Sequence, residues 1–167
     1  GQNCHESESY GAYTGFVNSS MLKNIGAQFV IIGHSENRKK GEDNNLINLK
    51  IKSALAAKLK VIYCIGETLT EKRKKKTKSI LSKQIKVGLK DLKNISKIFI
   101  AYEPVWAIGT GVVPKSEDLL KTVKFIKSKF KDKSPRILYG GSVNSQNIKN
   151  LKEINNIDGF LIGGASQ

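Results

Sequence analysis

The sequence predicts an α/β fold with a parallel sheet, and three features carry that prediction. Five short apolar runs recur along the 167 residues, beginning at positions 28, 59, 97, 136 and 159. The runs are continuously apolar rather than alternating, as strands covered on both faces are. Each is trailed by a segment whose apolar residues fall at helical spacing. No Pro/Gly/Ser-rich linker interrupts them, so residues 1–167 read as repeated βα units of a single domain.

Taken in order, the first strand is residues 28–33 (QFVIIG) and the second residues 59–66 (LKVIYCIG). After the second, Leu81, Ile85, Leu89 and Leu92 share one helical face. The third strand, residues 97–103 (KIFIAYE), ends on a carboxylate. In the helix that follows, Leu119, Leu120, Val123, Ile126 and Phe130 line one face while Lys121, Lys124, Lys127 and Lys131 take others. Ser116-Glu117-Asp118 supplies its cap and first-turn acids. Residues 136–141 (RILYGG) and 159–164 (GFLIGG) complete the strands.

Composition excludes several function classes. With 39% hydrophobic residues the chain can bury a core, which argues against a disordered or small stapled scaffold. No apolar window is long enough for a membrane span, and no signal peptide is readable at the N-terminus. Cys4 and Cys64 stand far apart and in no metal spacing, so neither a disulfide framework nor a metal site is expected, and a reducing cytoplasm fits best. The 29 Lys and Arg against 14 Asp and Glu give +15, which raises the question of nucleic acid. The densest stretch, residues 71–93, holds ten basic and two acidic residues and opens on Lys72-Arg73-Lys74-Lys75-Lys76. Because basic residues are spread over the polar faces of helical segments, a solvated face is the expectation and a nucleic-acid partner is not.

Glycine placement separates the two parallel architectures. An open nucleotide-binding sheet would carry a Gly-rich turn opening its first helix, and neither phosphate-loop pattern occurs. Glycines and polar residues instead close the strands: Gly33-His34-Ser35-Glu36, Gly66-Glu67-Thr68, Glu103-Pro104, Gly140-Gly141-Ser142 and Gly163-Gly164-Ala165-Ser166. That is the rim on which a (β/α)₈ barrel places its chemistry, with phosphate held after the last two strands. The two Gly-Gly pairs can let backbone N–H groups approach an anion, or can simply make tight turns. Glu103, ending an apolar strand before Pro104, has the desolvated setting of a general base, though a salt-bridge partner could stand there too. His34 is either a catalytic group or a rim-packing histidine.

One segment goes further. Ala101-Tyr102-Glu103-Pro104-Val105-Trp106-Ala107-Ile108-Gly109-Thr110-Gly111 closely resembles the catalytic strand and lid loop of the triosephosphate isomerase family. Residues 32–36 (IGHSE), 64–68 (CIGET), 139–143 (YGGSV) and 162–166 (IGGAS) are similar to the family's other signatures, in its order. Asn3 and residues 11–15 (GAYTG) resemble its dimer-forming third loop. The resemblance covers essentially the whole chain.

What the resemblance implies is the division of roles already known for that family. Glu103 would move a proton between C1 and C2 of dihydroxyacetone phosphate and D-glyceraldehyde 3-phosphate, through an enediolate. His34 would be the neutral electrophile at the carbonyl oxygen, with Glu36 just behind the site and Asn3 in support. Residues 105–111 would close over the substrate, Gly109 N–H reaching the phosphate and Ala107-Ile108 excluding water. Ser142, Gly163 and Gly164 would complete the phosphate grip. No metal or organic cofactor is implied, and the complete protein would be a cytoplasmic homodimer of glycolysis and gluconeogenesis.

The departures are also specific. A whole barrel needs about 250 residues. The chain, running from Gly1 to Gln167, therefore reads as a fragment with roughly the last six βα units and without the substrate-facing Asn and Lys. Alone it is expected to be inactive and prone to association. Phe16 and Asn37 stand where the family usually has Glu and Arg, which suggests that an ion pair at the dimer has been replaced. Val112-Val113-Pro114 lacks the Lys common at the lid's far hinge, and the third loop carries an extra residue around Ser9-Tyr10. The competing class is a basic barrel fragment that binds phosphate or nucleic acid without turnover. It would not need Glu103 or His34, and both are present.

Overall fold

The computed structural model describes residues 1–7, 11–130 and 134–166. Ser9-Tyr10 and Lys131 lie outside the described residues. In chain order the elements are α1 (Ser19–Asn24), β1 (Phe29–Ile32), α2 (Ser35–Lys39), α3 (Asn44–Ala56), β2 (Lys60–Ile65), α4 (Leu69–Arg73), α5 (Thr77–Gly88), β3 (Ile98–Tyr102), a 3₁₀ turn (Val105–Ala107), α6 (Ser116–Lys127), β4 (Arg136–Tyr139), α7 (Ile148–Lys152), β5 (Gly159–Phe160) and a second 3₁₀ turn (Gly164–Ser166). The strands take the order β1-β2-β3-β4-β5. All five sequence-derived strands are therefore present, and the α/β reading holds.

Local chemistry explains where the helices start. The Asp43 carboxylate accepts the N–H groups of Asn45 and Leu46 and opens α3. Thr68 and Glu71 form a reciprocal capping box on α4. On α6 the acids Glu117 and Asp118 occupy the first turn as expected, but the cap differs. Lys115 is the N-cap, without a side-chain hydrogen bond, and Ser116 is already helical. The favourable charge of Glu117 and Asp118 at the helix N-terminus takes the place of a side-chain cap.

Two compact units divide the chain. The first holds Gly1–Cys64 and Gln84–Phe99. In it β1 and β2 pair in parallel from Phe29 opposite Lys60 to Ile32 opposite Tyr63, and Val61 N–H donates to Lys97 O. Ile31 N–H donates to Gly1 O, so the first residue adds a rung beside β1. Its core is Val30, Ile32, Ile47, Ile51, Ala54, Val61 and Tyr63. Asn48, on α3, reaches the carbonyls of Gly88 and Lys90 from a buried position.

The second unit holds Ile65–Lys83 and Ile100–Gln167. Glu103 N–H donates to Ile65 O, Gly140 N–H to Tyr102 O, and β4 pairs in parallel with β5. Leu119, Val123 and Ile126 of α6 are buried as their spacing requires, together with Ile100, Ile137 and Tyr139. β5 is shorter than its apolar run. Leu161 N–H still bonds Tyr139 O, but Ile162 and the glycines after it turn outward and are exposed. Burial also differs from the expectation in β1, which alternates between half-buried and buried residues, and in β4, where Arg136 is exposed and Leu138 half-buried. No helix among the described residues is long and apolar enough to cross a membrane.

Candidate active site

In the first unit, His34 follows Gly33 at the end of β1 and is the N-cap of α2. Its Nδ1 accepts the Glu36 N–H at 3.4 Å. A neutral imidazole that accepts through Nδ1 carries its proton on Nε2, so the ring is set to donate from that atom. Glu36 contributes here through its backbone, while its side chain is exposed.

Arg38 fixes the strand ends near His34. Its Nε donates to Gly33 O at 2.7 Å, Nη2 to Cys64 O at 3.1 Å and Nη1 to Asn44 Oδ1 at 2.8 Å. One planar fork thus ties the ends of β1 and β2 to the start of α3. Arg38 is a site residue that no motif in the sequence marks. Its signal was an Arg in the first helix after a strand, in a chain that mostly uses Lys. Asn3 belongs to a different cluster of this unit. Its side chain donates to Glu42 Oε1 at 2.8 Å, and Glu42 in turn pairs with the buried Lys50.

In the second unit, Glu103 is only 3% exposed. A Cβ at Gly66 would stand 1.7 Å from the Glu103 carbonyl oxygen, and one at Gly140 would stand 2.9 Å from its Cγ. Only glycine lets the chain approach this closely, so Gly66 makes room for the Glu103 backbone and Gly140 for its side chain. Gly141 has a similar duty, since a Cβ there would lie 2.2 Å from the Tyr139 hydroxyl. The first Gly-Gly pair therefore makes room for packed side chains, a role that the reading of it as a phosphate turn did not include.

The segment after Glu103 is held at both ends. Glu67, 1% exposed, accepts the Trp106 indole Nε1–H at 3.0 Å and the Tyr102 hydroxyl at 3.2 Å. Its carbonyl accepts the Val105 N–H at 3.1 Å. Burial, and then the Glu67 charge, push the Tyr102 phenol well above its ordinary range. Farther along, the Ser142 hydroxyl donates to Ala107 O at 2.6 Å and accepts the Gly111 N–H at 3.1 Å, and Ser142 N–H also donates to Ala107 O at 3.1 Å. The sequence marks Glu67 as a strand-closing acid but not its role, because the donors that reach it are distant in the chain.

Between these anchors Gly109 adopts φ +67°, with open space where a side chain would be. Gly163 and Gly164 are exposed, and Ser166 closes their turn by donating to Gly163 O at 2.6 Å. Glu103, Gly109, Ser142, Gly163 and Gly164 thus all belong to the second unit, while His34, Glu36 and Asn3 belong to the first. No group of three or more His, Cys, Asp or Glu side chains suited to a metal occurs among the described residues.

The family model described as triosephosphate isomerase matches residues 1–167. A triosephosphate isomerase of Thermodesulfovibrio yellowstonii is 48% identical over 166 residues, covering 95% of this chain and 68% of that protein. That of Mycoplasmopsis pulmonis is also 48% identical, over 99% of this chain and 66% of its own length. The crystal structure of triosephosphate isomerase from Bartonella henselae superposes with a TM-score of 0.91 at 40% identity, over 99% of this chain and 70% of that one. The chain therefore spans about two thirds of the length of these relatives, and its fold is part of a (β/α)₈ barrel.

Proposed function

The chain belongs to the triosephosphate isomerase family, an isomerase that interconverts dihydroxyacetone phosphate and D-glyceraldehyde 3-phosphate, and on that premise we propose how its residues perform the reaction. Glu103 removes a proton from one of the two adjacent carbons and returns it to the other. As the C–H bond breaks, its electron pair forms the C=C bond of an enediolate and negative charge grows on the carbonyl oxygen. His34 donates to that oxygen from Nε2, which the Nδ1 contact with Glu36 favours. Residues 105–111 close over the substrate and exclude water, while Gly109, Ser142, Gly163 and Gly164 supply donors to the phosphate. Glu36 supports the site through its N–H to His34 Nδ1, while Asn3 acts from the separate cluster with Glu42 and Lys50.

The observation that carries this reading is the seat of Glu103 between Gly66 and Gly140. Gly66 seats the backbone of Glu103 and Gly140 packs close against its side chain, which confines the carboxylate at the strand end, and proton transfer demands such placement. We read residues 1–167 as one partial barrel domain, since the βα units follow one another with no Pro/Gly/Ser-rich linker. The complete protein acts in the cytoplasm as a homodimer. Tyr13, Phe16, Val17, Met21 and Ile25 support the dimer, because such large apolar side chains are exposed here, Phe16 by 63%. Phe16 packs edge-on against His5, at 5.1 Å between ring centroids, so an aromatic contact stands where an acid was expected.

The test is Glu103→Gln in the full-length enzyme, which keeps shape and removes the base. General-base catalysis contributes about 10² to 10⁴ in rate, so kcat should fall by at least that range while affinity for a phosphate-bearing inhibitor stays nearly intact. A fall of less than about tenfold would remove Glu103 from the role of base.

A further inference from the structure

Trp106 is the one tryptophan of the sequence, and it sits at the centre of the 3₁₀ turn Val105–Ala107. Glu67 holds the edge of its indole through Nε1–H. That hydrogen bond sets the edge of the ring and leaves its face to other contacts. The Lys72 ammonium covers that face, lying 3.2 Å from the ring centre. The other cation–ring distances among the described residues run from 4.3 to 6.0 Å. Glu67 and Lys72 come from one short segment, with the Thr68–Glu71 capping box between them fixing the start of α4. Edge and face of one ring are thus contacted by an anion and a cation from the same short segment.

We propose that Lys72 is a positioning residue for lid closure: its ammonium on the indole face fixes the first turn of the lid in the orientation in which Ala107 and Gly111 bond to Ser142. Cation and latch occur together in this structure. The proposal rests on the reading of residues 105–111 as the lid of the isomerase. It also separates Lys72 from the four basic residues after it, which the charge pattern alone treats as equal. A looser lid has a chemical signature. In an enediolate open to solvent the C–O bond to phosphate breaks, the electron pair leaves with the phosphate, and the three-carbon remainder is an enol that becomes an α-ketoaldehyde. No other reactant is consumed.

The experiment compares Lys72→Met and Lys72→Arg with the wild type in the full-length enzyme, using glyceraldehyde 3-phosphate as substrate. Its readouts are tryptophan emission assigned by a Trp106→Phe control, kcat and KM, inorganic phosphate released per isomerisation, and the thermal midpoint. An exposed cation–ring contact corresponds to about a two- to fivefold effect. Lys72→Met should change the emission, lower kcat/KM and raise phosphate release by that factor, and Lys72→Arg should restore all three. Unchanged emission, unchanged phosphate release, or a lower thermal midpoint as the sole effect would overturn the proposal while leaving the isomerase reading intact. A full-length wild type without isomerase activity would overturn both, even with the emission change present.

Discussion

The Ser142 hydroxyl donates to the Ala107 carbonyl at 2.6 Å while accepting the Gly111 N–H at 3.1 Å. One side chain therefore grips both ends of residues 107–111, across 35 residues of sequence in the first case. Resemblance put Ser142 on the phosphate. The geometry adds a latch, and the two roles differ in what a substitution does.

Ser142→Ala should leave the fold intact, since the Ser142 N–H keeps its bond to Ala107 O. Two side-chain hydrogen bonds, each worth about 0.5–1.5 kcal/mol net, are lost from the closed lid. The expected result is a fall in kcat/KM of about tenfold or more and increased release of inorganic phosphate during turnover. Steady-state kinetics with a phosphate assay check it, and an unchanged phosphate yield would show that the latch is not used.

Gly66→Ala tests the seat of Glu103 without touching its carboxylate. A Cβ 1.7 Å from the Glu103 carbonyl oxygen cannot be accommodated by a rotamer change, because the obstacle is backbone. Overpacking of this kind costs about 1–3 kcal/mol or more. At about 2–4 °C per kcal/mol for a protein of this size, the midpoint should drop by at least several degrees. In molecules that remain folded, kcat should fall far more than inhibitor affinity, since Glu103 is displaced. A variant with wild-type kcat would show that Glu103 does not depend on this approach.

Alkaline pH should destabilise the first unit in two overlapping steps. Burial raises the Cys4 thiol from 9.0 to about 11 and the Tyr63 phenol from 10.0 to about 12. The unfolded chain loses these protons first, so the folded state holds more protons and stability falls as pH rises. Each group's contribution is complete below its ordinary value, is lost from pH 9 to 11 for Cys4 and from 10 to 12 for Tyr63, and changes by about 1.4 kcal/mol per pH unit at full slope. Urea midpoints at intervals from pH 8 to 11.5, with reductant present, measure it. Cys4→Ser should flatten the first part of the curve, and an identical curve for that variant would exclude Cys4.

The basic turn at the end of α4 should bind nucleic acid only weakly. Its five basic residues are exposed and Lys72 is already engaged with Trp106. Association with duplex DNA should vanish by about 0.2 M salt, as release of counterions requires. Fluorescence anisotropy across a salt series checks this, and binding that survives there would point to a dedicated polyanion surface.

The sequence by itself determined the strands, their order and the placement of His34 and Glu103 at strand ends. Those properties are written in short apolar runs and in the residues that stop them, and both are local in the chain. It also carried the family, because whole motifs such as residues 101–111 are too long to arise by coincidence. Tertiary structure alone decided what the neighbouring residues do. Gly66 and Gly140 are spaces shaped for Glu103, Arg38 ties two strand ends, and Glu67 receives donors from Tyr102 and Trp106. Glu67 and Trp106 are 39 residues apart. A glycine, a serine or a buried acid has the same letter whether it packs, latches or binds. Its task is set by which atoms the fold brings within hydrogen-bond or contact distance, and no periodicity in the chain records that.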